Sequence, residues 1–507
     1  MHRPLTDSSR ALAAELGEAL RAAGYTHDGV RTLLGPMASA ALERDETTPG
    51  LRVTRGRSPL ETLVRLWPLQ SPVPLSEVEA ALPGMVDRLC VEGILATSVG
   101  EVVARVDVSP YAETGADGRE HGWLLVSDLT PGMDGSPNRM RADYVLGVSA
   151  ASISLAQITT RDRVASALDV GTGSGLQALH ASTHADHVVA TDVNTRALWL
   201  TDFTAAMNGV ESIEVREGSW FGPVAGERFD LVVSNPPFVI SPATGEQLVY
   251  RDSGLPGDRA VEQMVRTAPR HLTVGGRCHL LADWVVQRGV PWEERLGAMV
   301  EASGCHALVV QRELMDPAAY VELWLKDSGH HGGEDYVQRY DTWLSWFEDQ
   351  GVEAIGFGWI NLQRVDDAPG APSPQVRLEE WPHAVEQPVA PAYAAWIDAV
   401  TGLAGMSDED LLAARPVRRP DVVQETHGAP GAADPETIVL RQQVLLRRAR
   451  TADTVVAALV GACDGELSVG QILDALASLT ETDPLALRAA HLPQVRDLVT
   501  EDYLRLV

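Results

Sequence analysis

Between about residues 151 and 364, short apolar runs alternate with stretches of helical periodicity. That order predicts a parallel sheet with helices on both faces. "VASALDVG", "HVVATDV" and "FDLVVSN" read as buried strands, and "GGRCHLLADW", "HALVVQREL" and "EAIGFGWINLQR" close the series. Between the last two, "GEDYVQRYDTWLSWFEDQG" spaces Tyr336, Tyr340, Trp343 and Phe347 three or four residues apart, the pattern of a core-facing helix seam.

The flanks are patterned differently. "DSSRALAAELGEALRAAGY" puts Leu12, Leu16 and Leu20 on one helical face and stops near Gly24. "LETLVRLW" predicts another helix. "SEVEAAL" predicts a third, with Ser76 and Glu79 spaced as a capping box. "MVDRLCVEGILATSVGEVVARVDVSP" then reads as a helix running into two strands joined around Val99-Gly100. Helices followed by a hairpin are the order of a winged-helix unit. No arginine cluster marks its third helix, which favours protein docking over DNA reading. After "RVDDAPGAPSPQ" (Arg364–Gln375) the chain is expected to be mainly helical. A turn at Asp464-Gly465 and a capping box at Ser468 and Gln471 could belong to a second winged-helix-like unit. The expected division is 1–142, 143–364, a linker and helical connection over 365–430, and 431–507.

A chain of 507 residues is too long for one ordinary core, and 45% hydrophobic with 22% charged residues is a globular composition. The net charge of −29 repels phosphate backbones, which disfavours extensive nucleic-acid binding. Lys326 is the single lysine, and the reliance on arginine reads as coding bias. Cys90, Cys278, Cys305 and Cys463 are far apart and form no C-x-x-C pair, so neither a zinc site nor a disulfide framework is expected. The adjacent histidines of "GHHGGED" lack the i, i+4 spacing of a helical metal site, and no metal is expected. With no secretion-type or membrane-spanning apolar run, a reducing cytoplasm is the expected location.

The chemistry concentrates in three strand ends. "ALDVGTGSGLQAL" places Asp169 before Gly171, Thr172, Gly173 and Gly175, a turn that brings backbone N–H groups and a helix N-terminus to a ligand. The dinucleotide pattern G-x-G-x-x-G is not met, because the third glycine comes one residue early and Leu176 takes its place. An acid at Asp169 suits a cation, such as an amino-acid ammonium, better than a pyrophosphate. "VVATDVN" ends the second strand on Asp192, Val193 and Asn194, where a carboxylate can accept from a ribose diol. "EGSWF" offers Ser219 and Trp220 to flank an adenine. A nucleoside with an amino-acid tail is S-adenosylmethionine.

The third strand end, "VVSNPPFVIS", stops on Asn235, Pro236, Pro237 and Phe238. The prolines end the ladder and stiffen the turn. The Asn235 side-chain oxygen and the Pro236 carbonyl can each accept one hydrogen of a planar NH₂ group. The nitrogen is then held with its lone pair free and its developing charge stabilised. Phe238 can stack on a flat acceptor.

Together, "LDVGTGSG … TDVN … GSWF … FDLVVSNPPF" resembles the class I S-adenosylmethionine-dependent N-methyltransferases with the Asn-Pro-Pro-aromatic motif. That group includes release-factor glutamine, adenine-N6 DNA and rRNA guanine-N2 methyltransferases. The resemblance covers roughly Asp143 to Arg364. It implies a Rossmann-like seven-stranded methyltransferase sheet, with the cofactor S-adenosylmethionine held by Asp169, Gly171, Thr172, Gly173, Gly175, Asp192, Val193, Asn194, Ser219, Trp220 and Asn235. Asn235 to Phe238 would hold the acceptor nitrogen, and Tyr144 to Gly147 would lie beside the cofactor. Two departures stand out. Ser219 replaces the acid that often meets the adenine amine, and Phe238 replaces the tyrosine usual in the glutamine enzymes. Tyr144, Phe238, Tyr250 and Arg251 are candidate substrate contacts, with Asp252 and Asp258 nearby. The acceptor implied is a glutamine side chain of a protein or peptide, slightly ahead of a nucleobase amine of RNA or DNA. A cofactor-binding module without catalysis is a third reading, which the intact Asn235–Phe238 corner opposes.

Overall fold

Eight strands build the central sheet of the computed structural model, which describes residues 5–115, 119–135, 140–243, 251, 253–330, 332–366, 368, 373–430 and 435–506. They are β1 (Val164–Val170), β2 (Ala185–Asp192), β3 (Ile213–Glu217), β4 (Phe229–Ser234), β5 (Leu272–Gln287), β6 (Cys305–Met315), β7 (Val352–Arg364) and β8 (Val376–Glu380). Their order is β8-β6-β7-β5-β4-β1-β2-β3. All neighbours are parallel except β7, which runs antiparallel between β5 and β6. The central strands are buried on both faces, so they read as continuous apolar runs rather than alternating ones.

The sheet has one strand more than the seven expected. β8 pairs with Ala307–Gln311 at the edge and comes from the stretch read as linker. Its "VRLEE" is short and half-exposed, as edge strands often are, and carries little apolar signal of its own.

In the N-terminal region, helix α1 (Asp7–Ala22) is capped by Thr6, and Leu12, Leu16 and Leu20 are buried as the periodicity requires. Helices His27–Leu42 and Thr48–Val53 follow without having been anticipated. Next come helix Pro59–Leu66, strand Val73–Pro74, helices Leu75–Ala81 and Val86–Val91, and the hairpin Leu95–Ser98/Glu101–Ala104. Strand Glu101–Ala104 is central in that small sheet. The capping box expected at Ser76 and Glu79 does not form, because the helix already starts at Leu75, directly after Pro74. Glu79 instead accepts from the Gly84 N–H at 3.3 Å. The box that forms lies one helix earlier, between Ser58 and Glu61.

This region and the sheet share one core. Helix α2 (Ala150–Ile158) precedes β1, α3 (Leu176–Ser182) follows the glycine-rich turn, and α4 (Thr195–Met207) follows β2. Almost every residue of α4 is buried, because the sheet covers one side and α1 the other. Ala197, Trp199, Leu200, Phe203 and Met207 lie in the same cluster as Leu12, Leu16 and Leu20. Arg10 donates to Asp202 at 2.7 Å, and Arg21 to the Asn208 side-chain oxygen at 2.8 Å. Gly17 lets α1 approach so closely that a Cβ there would strike the Met207 carbonyl. A helix buried on all sides carries no single apolar stripe, which is why α4 announced no face in the sequence.

On the opposite flank, helices α5 (Pro317–Asp327) and α6 (Tyr336–Asp349) occupy the β6–β7 connection, and Trp343 and Phe347 are buried as expected. Helix α7 (Ala390–Ala404) lays Tyr393, Trp396 and Ile397 on the sheet, against Leu308, Val310 and Trp359. The C-terminal part is less helical than expected. It adds a three-stranded sheet (Val422–His427, Thr437–Gln442, Ala449–Ala452) and the pair Pro416–Arg418/Leu504–Leu506. Those strands are short and largely exposed, hence weakly patterned. The Ser468–Gln471 capping box forms. An ion-pair network fastens this part to β8: Glu379 pairs with Arg377 and with Arg448 (2.6 Å), and Arg377 reaches Glu501 at 3.0 Å. Among the described residues, no helix is long and apolar enough to cross a membrane.

Candidate functional site

A cleft of about 360 Å³ opens where β1, β2 and β4 end at their carboxyl edge, the position at which open α/β sheets take ligands. Its first wall is the turn after β1. Gly171 and Thr172 both donate to the Thr191 carbonyl, at 2.8 and 2.9 Å, stitching the turn to β2. Gly175 has φ +87°, and a Cβ on it would sit 3.0 Å from Thr201 Cγ2, so a side chain there meets both strain and α4.

Asp192 braces two turns at once. Its Oδ2 accepts from the Gly173 N–H at 3.1 Å and its Oδ1 from the Asn194 N–H at 2.8 Å. Asp169 lies buried behind the turn rather than on the wall, and its Oδ2 has no hydrogen-bond partner among the described residues. Burial pushes its carboxyl up to about 7, and the Asp192 charge adds to the rise. Burial raises Asp192 as well, offset by its backbone donors.

Residues 143–147 lie across this wall. Asn194 caps α4 and donates its side-chain NH₂ to the Asp143 carbonyl at 2.9 Å. Asp128 accepts from the Val145 N–H at 2.8 Å and forms a buried ion pair with Arg196, the second residue of α4. Tyr144 to Gly147 thereby line the cleft, with Ser149, Ser152 and Gln177 beside them. The sequence reading missed Asp128 and Arg196. Their one signal is an Arg in the first turn of a helix, two residues after its cap, with its acid far away along the chain.

Val193, Ser219 and Trp220 form the outer wall, Trp220 with φ +51°. The third strand end closes the cleft. The Ser234 hydroxyl donates to the Val170 carbonyl at 2.7 Å and ties the end of β4 to β1. Asn235, Pro236 and Pro237 line the cleft, and the buried Asn235 Oδ1 has no partner among the described residues. An oxygen left unpaired in a buried position is costly, and a donor arriving in the cleft would satisfy it.

Three sequence candidates lie elsewhere. Phe238 is not on the cleft wall and packs among the clusters holding Leu281 and Trp284. Arg251 is buried against α5: it donates to the Trp324 carbonyl at 2.9 Å and to Asp327 at 3.3 Å, and lies over the Trp324 ring. Asp258 grips Arg295 at 2.6 and 2.7 Å and accepts from the Val285 N–H. Tyr250 and Asp252 fall outside the described residues. Among the described residues lining the cleft there is no arginine or lysine, and Asp192 is the charged one.

Residues 147–307 match the methyltransferase small domain family. Residues 22–105 match a domain of unknown function, DUF7059. The release factor glutamine methyltransferase of Xylella fastidiosa is 36% identical over 128 residues, 23% of this chain and 46% of that one. Ribosomal RNA small subunit methyltransferase C of Cronobacter sakazakii is 34% identical over 118 residues, 23% of this chain and 30% of that one. The ribosomal protein uL3 glutamine methyltransferase of Bradyrhizobium diazoefficiens is 32% identical over 120 residues, 22% of this chain and 38% of that one. The chain thus spans less than half the length of each of these relatives. The names and the matched segment agree with the motif resemblance, that of a methyltransferase.

Proposed function

We propose that this protein is an S-adenosylmethionine-dependent N-methyltransferase whose acceptor is the side-chain amide of a glutamine in a protein. The unpartnered, buried Asn235 Oδ1 at the end of β4 carries the reading. The residues present fit the cofactor. The glycine turn and the buried Asp169 carboxylate suit its amino-acid end, Asp192 its ribose, and Val193, Ser219 and Trp220 its base. When bound, the cofactor supplies the electrophilic methyl group.

The chain's own residues do the positioning. Asn235 Oδ1 and the Pro236 carbonyl accept the two hydrogens of the acceptor NH₂ and orient its lone pair into the cleft. As the nitrogen gains positive charge, both oxygens stabilise it, and its surplus proton passes to water. Tyr144 and its neighbours narrow the cleft.

The lack of arginine and lysine among the described lining residues, together with the net charge of −29, favours a protein acceptor over a phosphate-rich one. Phe238, partly buried against the clusters of Leu281 and Trp284 and absent from the cleft wall, offers no stacking face there to a base or an amide. The Pro59–Ala104 segment, with its helix, strand, helix, helix, hairpin order, is read as a winged-helix unit serving as a protein-docking module. The test is methyl transfer from labelled cofactor to three separate acceptors: purified release factor, ribosomal protein uL3, and protein-free small-subunit rRNA. Label on a glutamine of either protein supports the reading. Label confined to the rRNA assigns the alternative, a nucleobase-amine methyltransferase, and no label anywhere supports the cofactor-binding module.

A further inference from the structure

An antiparallel pair such as β6 and β7 can be closed by a two-residue turn, yet here α5 and α6 fill the connection. Neither helix is needed to complete the sheet, so what they hold bears on their use. The segment leaving the Asn-Pro-Pro-Phe corner runs over β5 and meets α5 there. Val239 and Ile240 share a cluster with Val285, Tyr320 and Val321. The Ile240 N–H donates to Tyr320 Oη at 2.8 Å, and the same hydroxyl donates to Asp283 Oδ2 on β5 at 3.0 Å. Tyr320 and Asp283 are both almost wholly buried. A phenol that accepts from one side and donates to the other has its direction set by both partners. Farther along the chain, Arg251 holds the Trp324 carbonyl and Asp327 of the same helix, and its own carbonyl accepts from the Val239 N–H at 3.3 Å.

We infer that Tyr320 is a positioning residue for methyl transfer: anchored on Asp283, it fixes the backbone at Ile240 and thereby sets where Asn235 and Pro236 stand. It touches neither cofactor nor acceptor and acts through the rigid segment Pro236–Ile240. Pro236 and Pro237 fix φ at two of the four residues between Asn235 and Ile240, and the Val239 N–H held on the Arg251 carbonyl restrains the rest. The residues of the cofactor half, Asp169 to Asn194, make no hydrogen bond to α5 among the described residues, so cofactor affinity is independent of this anchor.

The inference rests on the N-methyltransferase reading, and its test separates the two. Tyr320→Phe keeps the ring in its cluster and deletes both hydrogen bonds, whereas Asp283→Asn keeps an acceptor for the hydroxyl. Three measurements are made on the full chain: amide hydrogen exchange, calorimetric affinity for S-adenosylmethionine, and turnover on the three acceptors named above. Tyr320→Phe is expected to speed exchange at Ile240 at least tenfold, leave cofactor affinity within twofold, and lower kcat about tenfold or more. Asp283→Asn should hold kcat within about threefold, because its amide oxygen still accepts from the Tyr320 hydroxyl. Unchanged exchange at Ile240, or an unchanged kcat in Tyr320→Phe on an acceptor the wild type methylates, overturns the inference. A parallel loss of cofactor binding also overturns it, since that marks general unfolding. If the wild type methylates none of the three acceptors, the functional reading fails, while the exchange at Ile240 still decides the anchor.

Discussion

The two halves of the cleft are built in opposite ways. The core of the cofactor half is one stretch of chain, Asp169 to Asn194, whose turns brace each other through Thr191 and Asp192, with Tyr144–Gly147, Ser219 and Trp220 added around it. The acceptor half is a rigid tetrapeptide whose position depends on residues far away in sequence: Ser234 on Val170, Ile240 on Tyr320, Tyr320 on Asp283. A local device tolerates changes elsewhere, while a device held at a distance is adjustable and vulnerable. On the proposed function, that division lets the acceptor side move without disturbing the cofactor side.

The sharpest way to break the comparison is at the corner itself. Asn235→Ala should lower kcat at least 100-fold, as loss of one preorganised polar group does elsewhere, with cofactor affinity changed less than about threefold. Equal losses in both would mean that the halves are not separable.

The next effect lies on the cofactor side. Asp169→Asn should weaken cofactor affinity by about 10–100-fold, because the glycine turn then loses the carboxylate charge behind it that attracts the cofactor's ammonium. In the wild type the Asp169 carboxyl sits near 7 through burial, so affinity should rise with pH up to about 7 and level off above it. The stability of the free protein follows the opposite sign. An acid whose folded value is raised contributes stability below its unfolded value near 4 and loses it as pH passes through about 7. Asp169→Asn should therefore melt higher than wild type at pH 8 without ligand. A pH series of calorimetric affinities and melting temperatures checks both signs.

The smallest effect tests how far the cofactor half depends on the N-terminal region. Gly17→Ala drives a Cβ into the Met207 carbonyl at the end of α4, and overpacking of that kind costs about 1–3 kcal/mol of stability. Cofactor affinity should change less than about threefold, because Asp192 and Asn194 stand at the other end of that helix. A larger loss would show that the cofactor half too is held from afar.

Much of this was legible in the chain. The six longest-patterned strands appear where apolar runs placed them, and the glycine turn, Asp192 and the Asn-Pro-Pro corner meet in one cleft. The misses share a cause, which is that their signal is not local. β8 is a half-polar edge strand, the docking of α1 on the all-buried α4 leaves no apolar stripe to read, and the Ser76 box gave way to a helix whose cap is Pro74, two residues earlier. Phe238 and Arg251 were read by residue type as acceptor contacts, but neighbours from β5, α5 and β7 claim them for packing.

What the sequence determined by itself is the chemistry that lies within a few residues of each strand end. Glycines that relieve backbone strain, an acid that caps two N–H groups and prolines that end a ladder act through adjacent bonds. Only the tertiary structure decided which strand closes the sheet, how the N-terminal region fuses with α4, and what holds the corner in place. Those outcomes depend on which distant surfaces meet, because burial and hydrogen-bond satisfaction are settled by neighbours in space rather than along the chain.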